Sequence, residues 1–338
     1  MIRVTLRQFQ SEAIISFGLL AMLGLLLAVT GPHLDQVNDA FQTACKAAGD
    51  CATAPNPVFL TNPELQTWVP LILTFMPVVV GLFFGAPLVA RELETGTFRL
   101  AWTQSVTLRR WLAVKLGLVG LEAVLTGGLV TGMIDWWQSP LNAAGQNPFD
   151  PVNFGYNGVV PIGYTAFGFA LGVASGVLLR RTIAAMGTTL VGLIAARLAV
   201  VSWVRPLFAA PLHESLSLLK AHASLSLQAP ADTLSVVAGP VNIPDAWILS
   251  TTVADRSGHT PTSRYLLHAC PALGQPSAAG PTAAHACLVK LSATLHEVVT
   301  YQPASRYWPF QWAEMGIFLA AALVLCGLTY WWLRRQYG

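Results

Sequence analysis

Apolar positions gather into six long runs separated by polar segments: roughly Ile14–Thr30, Trp68–Ala90, Leu116–Trp136, Val159–Leu179, Thr182–Val204 and Met315–Trp332. Each is long enough to cross a bilayer as a helix, which needs about 20 mostly apolar residues because no water in the hydrocarbon satisfies an irregular backbone. The pattern predicts an all-α polytopic membrane protein with six transmembrane helices. Between the fifth and sixth runs, residues Arg205–Gln311 are rich in Ser, Ala, Pro and His, and no stretch there is apolar enough to span. The expected division is 1–204 (an amphipathic N-terminal segment, Met1–Glu12, and helices 1–5), 205–311 (an inserted domain of short helices and strands) and 312–338 (helix 6 and a tail). A basic start before an apolar run also describes a secretory signal, but this run is long and no A-x-A cleavage site follows it.

Composition sharpens the class. Hydrophobic residues make up 54% of the 338 positions and charged residues 10%, with mean hydropathy +0.55. Soluble domains carry about 25% charged residues, so a soluble enzyme or a disordered regulator fits poorly. A net charge of +3 is too small to suggest nucleic acid.

The placement of charge sets the expected orientation. With the N-terminus inside, the cytoplasmic segments hold eleven Lys and Arg against three acids, and the outer segments seven against ten. This obeys the positive-inside rule and puts both termini in the cytoplasm and the large insertion outside. Ten of the eleven tryptophans fall at or beside span ends, as interfacial belts require; Trp247 is the exception. Cys45 and Cys51 lie in the first outer loop and Cys270 and Cys287 in the insertion, on the oxidising side. Four thiols allow three pairings, of which the local one, Cys45–Cys51 with Cys270–Cys287, is preferred.

Signatures of chemistry are missing. The sequence contains no Walker loop, no H-E-x-x-H, no C-x-x-C and no G-x-S-x-G. All seven histidines fall in expected outer segments at spacings that match no metal signature, so no metal site is expected. Gly168, Gly172 and Gly176 recur every fourth residue, a ridge that lets another helix approach closely; helix packing is the preferred reading and a substrate portal the alternative. Charges inside lipid are costly and so draw attention. Arg197 in the fifth run and Glu122 in the third could face a polar interior and pair, or Arg197 could snorkel to the headgroups. Asp135 and Glu314 stand near span ends and read as interfacial groups that reach water.

The most informative stretch is the loop between the second and third runs, ARELETGTFRLAWTQSVTLRRWLAVK, Ala90 to Lys115. Glu92 and Glu94 precede a break at Gly96, and a basic cluster with interleaved apolar residues follows. It reads either as an amphipathic helix at the membrane surface, able to dock a soluble partner, or as a solvated connector.

This stretch resembles the inner loop of exporter-type (type-2) ABC transporter permeases. In that family an acidic residue and a Gly-Thr pair open a coupling helix, and a Lys begins the third span; Glu92, Glu94, Gly96, Thr97 and Lys115 stand at those positions. The family's Pro-x-Ser-Arg is replaced by Ser105, Thr107 and Leu108, with Arg109 and Arg110 just after. Segments Gly81–Thr97 and Tyr301–Trp312 also look like a bacterial subfamily. The resemblance implies a plasma-membrane permease that works with a second permease copy or a homologous one and with a separate ABC ATPase subunit. ATP and Mg would sit on that partner, and no cofactor on this chain. It implies coupling residues Arg91, Glu92, Glu94, Gly96, Thr97, Arg99, Trp102, Arg109 and Arg110 within segment 91–110. It implies a path along the first, second and fifth spans, where Phe75, Met76, Phe83, Phe84 and Arg197 would meet an amphipathic or lipophilic cargo such as a drug or natural product; core packing explains the aromatics equally well. Alternative readings are a related module that passes force to an outer partner without moving cargo, and an unrelated six-span enzyme.

Overall fold

The computed structural model describes residues 2–48, 56–96, 108–219, 224–228, 233–239, 241, 243–271 and 281–337. They form two compact units: a helical bundle, Met1–Phe208 with Tyr307–Gly338, and an insertion, Ala209–Arg306.

The bundle contains helices α1 (Ile2–Ala48), α2 (Pro63–Val79), α3 (Ala86–Thr95), α4 (Leu108–Ala143), α5 (Pro151–Phe154), α6 (Val160–Leu179), α7 (Thr182–Ala199) and α10 (Tyr307–Tyr337). Six helical segments are long and apolar enough to cross a membrane: Phe17–Ala48, Pro63–Thr95, Trp111–Ala143, Val160–Leu179, Thr182–Leu207 and Ala304–Gln336. The second is α2 and α3 joined by a π-helical turn, Val80–Gly85, and the fifth is α7 extended by another, Val200–Val204.

Helix α6 is apolar on all sides and buried on nearly all of them, the pattern of a central helix. Leu20, Leu27 and Leu34 of α1 pack with Leu73 of α2 and Ile134 and Trp137 of α4. Val89, Trp111, Leu112, Phe169, Val173 and Leu333 join α3, α4, α6 and α10. Outer helices instead turn large apolar residues outward, such as Met22, Leu25, Val191, Leu198, Leu323 and Leu328. Large apolar residues turned outward along helices of membrane-spanning length suit a lipid solvent.

Helix α1 runs well past the expected boundary at Thr30, through Pro32 to Ala48, so Cys45 is helical rather than in a loop. The polar break misleads because tertiary packing carries the extension. Leu34 is fully buried, Trp137 Nε1 donates to Thr30 Oγ1 (2.9 Å), and Asn56 Nδ2 donates to the buried Asn38 Oδ1 (2.9 Å). These contacts offset the backbone bond that an internal proline removes.

In the insertion, strands β1 (Leu212–Ser217), β4 (Trp247–Asp255) and β5 (Leu295–Gln302) form an antiparallel sheet in the order β1-β5-β4, with Ser215 opposite Val298 and Thr251 opposite Val299. Strands β2 (Ser224–Gln228) and β3 (Thr233–Val237) form a separate hairpin. Helices α8 (Ser263–Ala269) and α9 (Pro281–Leu291) are tied by a Cys270–Cys287 disulfide, which packs with Leu218, Val253, Leu266, Leu291 and Leu295. Cys45 is also disulfide-bonded; Cys51 lies outside the described residues. The compact unit is shorter at both ends than the polar stretch suggests, because Arg205 and Tyr307–Gln311 belong to the bundle.

Strand β5 alternates its burial, turning Leu295, Glu297 and Val299 inward. Glu297 therefore occupies an apolar slot. It is 0% exposed, Oε2 accepts from Gly239 N (3.2 Å), and Oε1 has no hydrogen-bond partner among the described residues. Burial pushes its carboxyl above the usual range.

Candidate functional site

The last turn of α3 carries two carboxylates that point to two different helices. Glu92 pairs with Lys115 in α4, whose ammonium lies 4.8 Å from the centre of the Trp111 ring and within 3.5 Å of the Leu88 carbonyl. Glu94 Oε2 accepts from the backbone N (3.0 Å) and the Oγ1 (2.8 Å) of Thr182, at the start of α7. The first N–H groups of a helix have no partner within it, and Arg181, at the cap position, makes no side-chain capping bond. A carboxylate from α3 supplies the cap instead, favoured by the positive end of the helix dipole.

Gly96 then ends α3 in the left-handed conformation (φ +73°), which glycine adopts without steric cost. At the same end, Arg180 turns left-handed between α6 and α7 and bonds Gln336 of α10. One short stretch of α3 thus meets α4 and α7 just before the chain enters the loop. Arg91 is exposed beside it. Thr97, Arg99 and Trp102 lie outside the described residues, as do the side chains of Arg109 and Arg110, whose backbone belongs to the first turn of α4.

The expected path residues separate. Phe75 (52% exposed) and Phe83 (60%) face outward. Met76 packs against the α1–α2–α4 cluster, and Phe84 against the α3–α4–α6–α10 cluster. Arg197 is half-buried: its Nη1 donates to the Thr74 carbonyl of α2 (2.9 Å), and the guanidinium lies 4.4 Å from the centre of the Tyr164 ring.

Gly168, Gly172 and Gly176 lie against the second span, backbone to backbone. A Cβ at Gly168 would sit 2.6 Å from the Pro77 carbonyl oxygen and one at Gly176 2.7 Å from that of Ala86. At Gly172 it would sit 2.4 Å from Gly81 O and 2.7 Å from Ala86 N. Those two atoms are the ends of the hydrogen bond that closes the π turn.

At the opposite end from the loop, the structure corrects the interfacial reading of Glu314. It is 0% exposed and forms a bidentate pair with Arg205, Nε to Oε2 at 2.7 Å and Nη2 to Oε1 at 2.9 Å. Tyr164 also donates to Oε1, and the Arg205 guanidinium lies 4.2 Å over the Phe154 ring. Arg205, expected among the outer charges, is itself fully buried. Nearby, Gln311 Oε1 accepts from Val159 N and Val160 N (3.0 Å each), capping α6, while Nε2 donates to Phe154 O (3.1 Å). Asp135 accepts from Gly158 N at 3.1 Å and keeps partial exposure, as an interfacial group does. Burial and then the Asp150 charge push the Tyr156 hydroxyl, which donates to Asn153 Oδ1, up to about 12.

Sequence reasoning missed Thr182, Arg205, Tyr164 and Gln311. Polarity was their only signal, and the hydrogen-bond partners described above lie 88 to 157 positions away. No group of three or more His, Cys, Asp or Glu among the described residues could hold a metal.

A family described as ABC-2 membrane transporter related matches residues 17–205, from the first span to the end of the fifth. No curated protein and no solved structure matches the chain. Coverage of more than half the chain, together with six membrane-length helices, establishes that this multi-pass membrane protein belongs to the ABC-2 membrane transporter related family.

Proposed function

We propose that this chain is the membrane subunit of an ATP-driven exporter, with both termini and segment 91–110 in the cytoplasm and the insertion outside. It pairs with a second permease copy or a homologous permease, and a separate ATPase subunit docks on 91–110. The cargo is an amphipathic or lipophilic compound. One observation supports this reading above the others: the two-way clasp at the root of the loop. Force applied at Gly96 meets Glu94 two residues earlier and reaches the start of α7 through two hydrogen bonds. Through Glu92 and Lys115 it reaches α4. A push on the loop therefore moves three spans as connected levers, the rigid-body movement that transport by alternating exposure requires.

The test is reconstitution in liposomes with the ATPase partner. Glu94→Lys or Gly96→Val uncouples the motor, so ATP hydrolysis continues while cargo accumulation collapses and insertion into the membrane is normal. Unaltered transport in both variants refutes the role given to the loop root. Cysteine labelling in intact cells that finds the loop on the outer surface refutes the orientation.

A second reading rests on the insertion, a compact unit with its own sheet, core and disulfide. Such a unit suits a module that transmits conformational change to an outer partner. Cargo-stimulated ATP hydrolysis with accumulation across the bilayer favours export; ATP hydrolysis without accumulation favours transmission.

A further inference from the structure

The bundle holds two arginines close to Tyr164, and they are treated differently. Arg205 has its own counter-ion. Both oxygens of Glu314 are engaged, Oε1 receiving Tyr164 and Arg205 Nη2 and Oε2 receiving Arg205 Nε. Glu314 is therefore spent on Arg205.

Arg197 stands on the other side of the same tyrosine. It bonds one backbone carbonyl and lies on the tyrosine ring, with its Nη2 close against Gly155, and no carboxylate is within ion-pairing distance among the described residues. A guanidinium is always charged and carries five donors, so one carbonyl and a ring face leave charge and donors unanswered. Inside a bilayer an uncompensated cation is costly, and it persists where something charged is meant to meet it.

Exposed apolar residues flank the contact of this cation with Thr74 along both helices. That contact joins α2 and α7, and within one turn of the joined positions Leu71 and Phe75 on α2 and Ile194 and Leu198 on α7 are all exposed. A fixed planar donor beside open aliphatic and aromatic surface suits a ligand with an anionic head and a hydrocarbon body.

We propose that Arg197 is the head-group site for cargo, and that the cargo is an amphipathic anion such as a single-chain carboxylic acid. This rests on the export reading and narrows its substrate class. Thr74 and Tyr164 hold the guanidinium in place. Helix α2 continues through the π turn into α3, and α3 is tied to the start of α7 by Glu94 and Thr182. Movement at the loop would therefore reshape the site.

The test is equilibrium binding to the full chain in nanodiscs of phosphatidylcholine, with cis-parinaric acid as the probe and its methyl ester as the uncharged control. Neither ATP nor the ATPase is required, so failure here is separable from failure of transport. The acid should bind wild type about tenfold or more tightly than the ester, the scale of one charge-assisted contact. Arg197→Gln should remove that preference while leaving ester binding unchanged, and Arg197→Lys should keep most of it. Equal binding of acid and ester by wild type overturns the proposal, even if Arg197→Gln fails to fold. So does an acid preference that survives Arg197→Gln. Loss of the preference when phosphatidylglycerol replaces part of the bilayer overturns it too, because Arg197 would then hold a membrane lipid rather than cargo.

Discussion

Replacing Gly172 by alanine adds one methyl group at the tightest contact described between α6 and the second span. The new carbon would sit 2.4 Å from Gly81 O and 2.7 Å from Ala86 N, against an ordinary contact of 3.4 Å or more. Neither obstacle is a side chain that can turn away; they are the acceptor and donor of the bond that closes the π turn. The helices must separate by about 1 Å or the turn must open, and overpacking of this kind costs about 1–3 kcal/mol, here at the upper end. For a domain of 150–250 residues a loss near 3 kcal/mol lowers the midpoint by roughly 6–12 °C. The control is Gly187→Ala in α7, where nothing lies within 4 Å of the added carbon. There alanine should be neutral or stabilising by up to about 1 kcal/mol through helix propensity. The assay is thermal unfolding of both purified variants in the same nanodiscs, followed by far-UV circular dichroism. Equal midpoints for the two variants would refute the close-approach account of the glycine ridge.

Other expectations follow from the buried charges and the insertion. Glu314→Gln leaves Arg205 buried with a neutral partner and should cost about 3–5 kcal/mol, whereas the double change Arg205→Met with Glu314→Leu should recover much of that loss in the same unfolding assay. Burial raises the Glu297 carboxyl, so the folded insertion favours its protonated form. That contribution is fully present below the ordinary glutamate value of about 4.3 and is lost as pH rises through the folded-state value. After correction for intrinsic exchange, β5 amides should be better protected at acidic than at neutral pH, and Glu297→Gln should flatten the difference. Replacing Cys270 and Cys287 by serine opens a link across 17 positions and should cost the insertion about 3 kcal/mol, read as faster exchange in α8 and α9 with the bundle amides unchanged.

The spans were legible because a bilayer imposes one requirement on every residue of a run, and local composition satisfies it. Their ends were less so. Thr30, Gly31 and Pro32 look like a stop, yet Leu34 and Asn38 beyond them find partners in distant segments and keep α1 helical. Helix α6 gave its glycine spacing away, but not its partner or the π turn it rests on, because an irregular turn in Val80–Gly85 leaves no periodic trace. Charges near span ends were assigned by depth, a rule that works for lone groups in contact with water or headgroups. Arg205 and Glu314 escape it because they answer each other across 109 positions. Glu92 and Glu94 were legible as important but not as connectors, since pattern shows that a carboxylate is present and not what it holds.

Arg205 and Glu314 stand just before and just after the insertion, and their pairing has an evolutionary consequence. The bundle closes that gap with its own charges, so whatever is threaded between the two posts contributes little to keeping them together. Lengthening a loop whose ends are already fixed costs only a slowly growing entropy. Related chains should therefore differ most in the size and content of this cassette, and a short polar linker spliced between Phe208 and Tyr307 should leave a bundle that still inserts and folds.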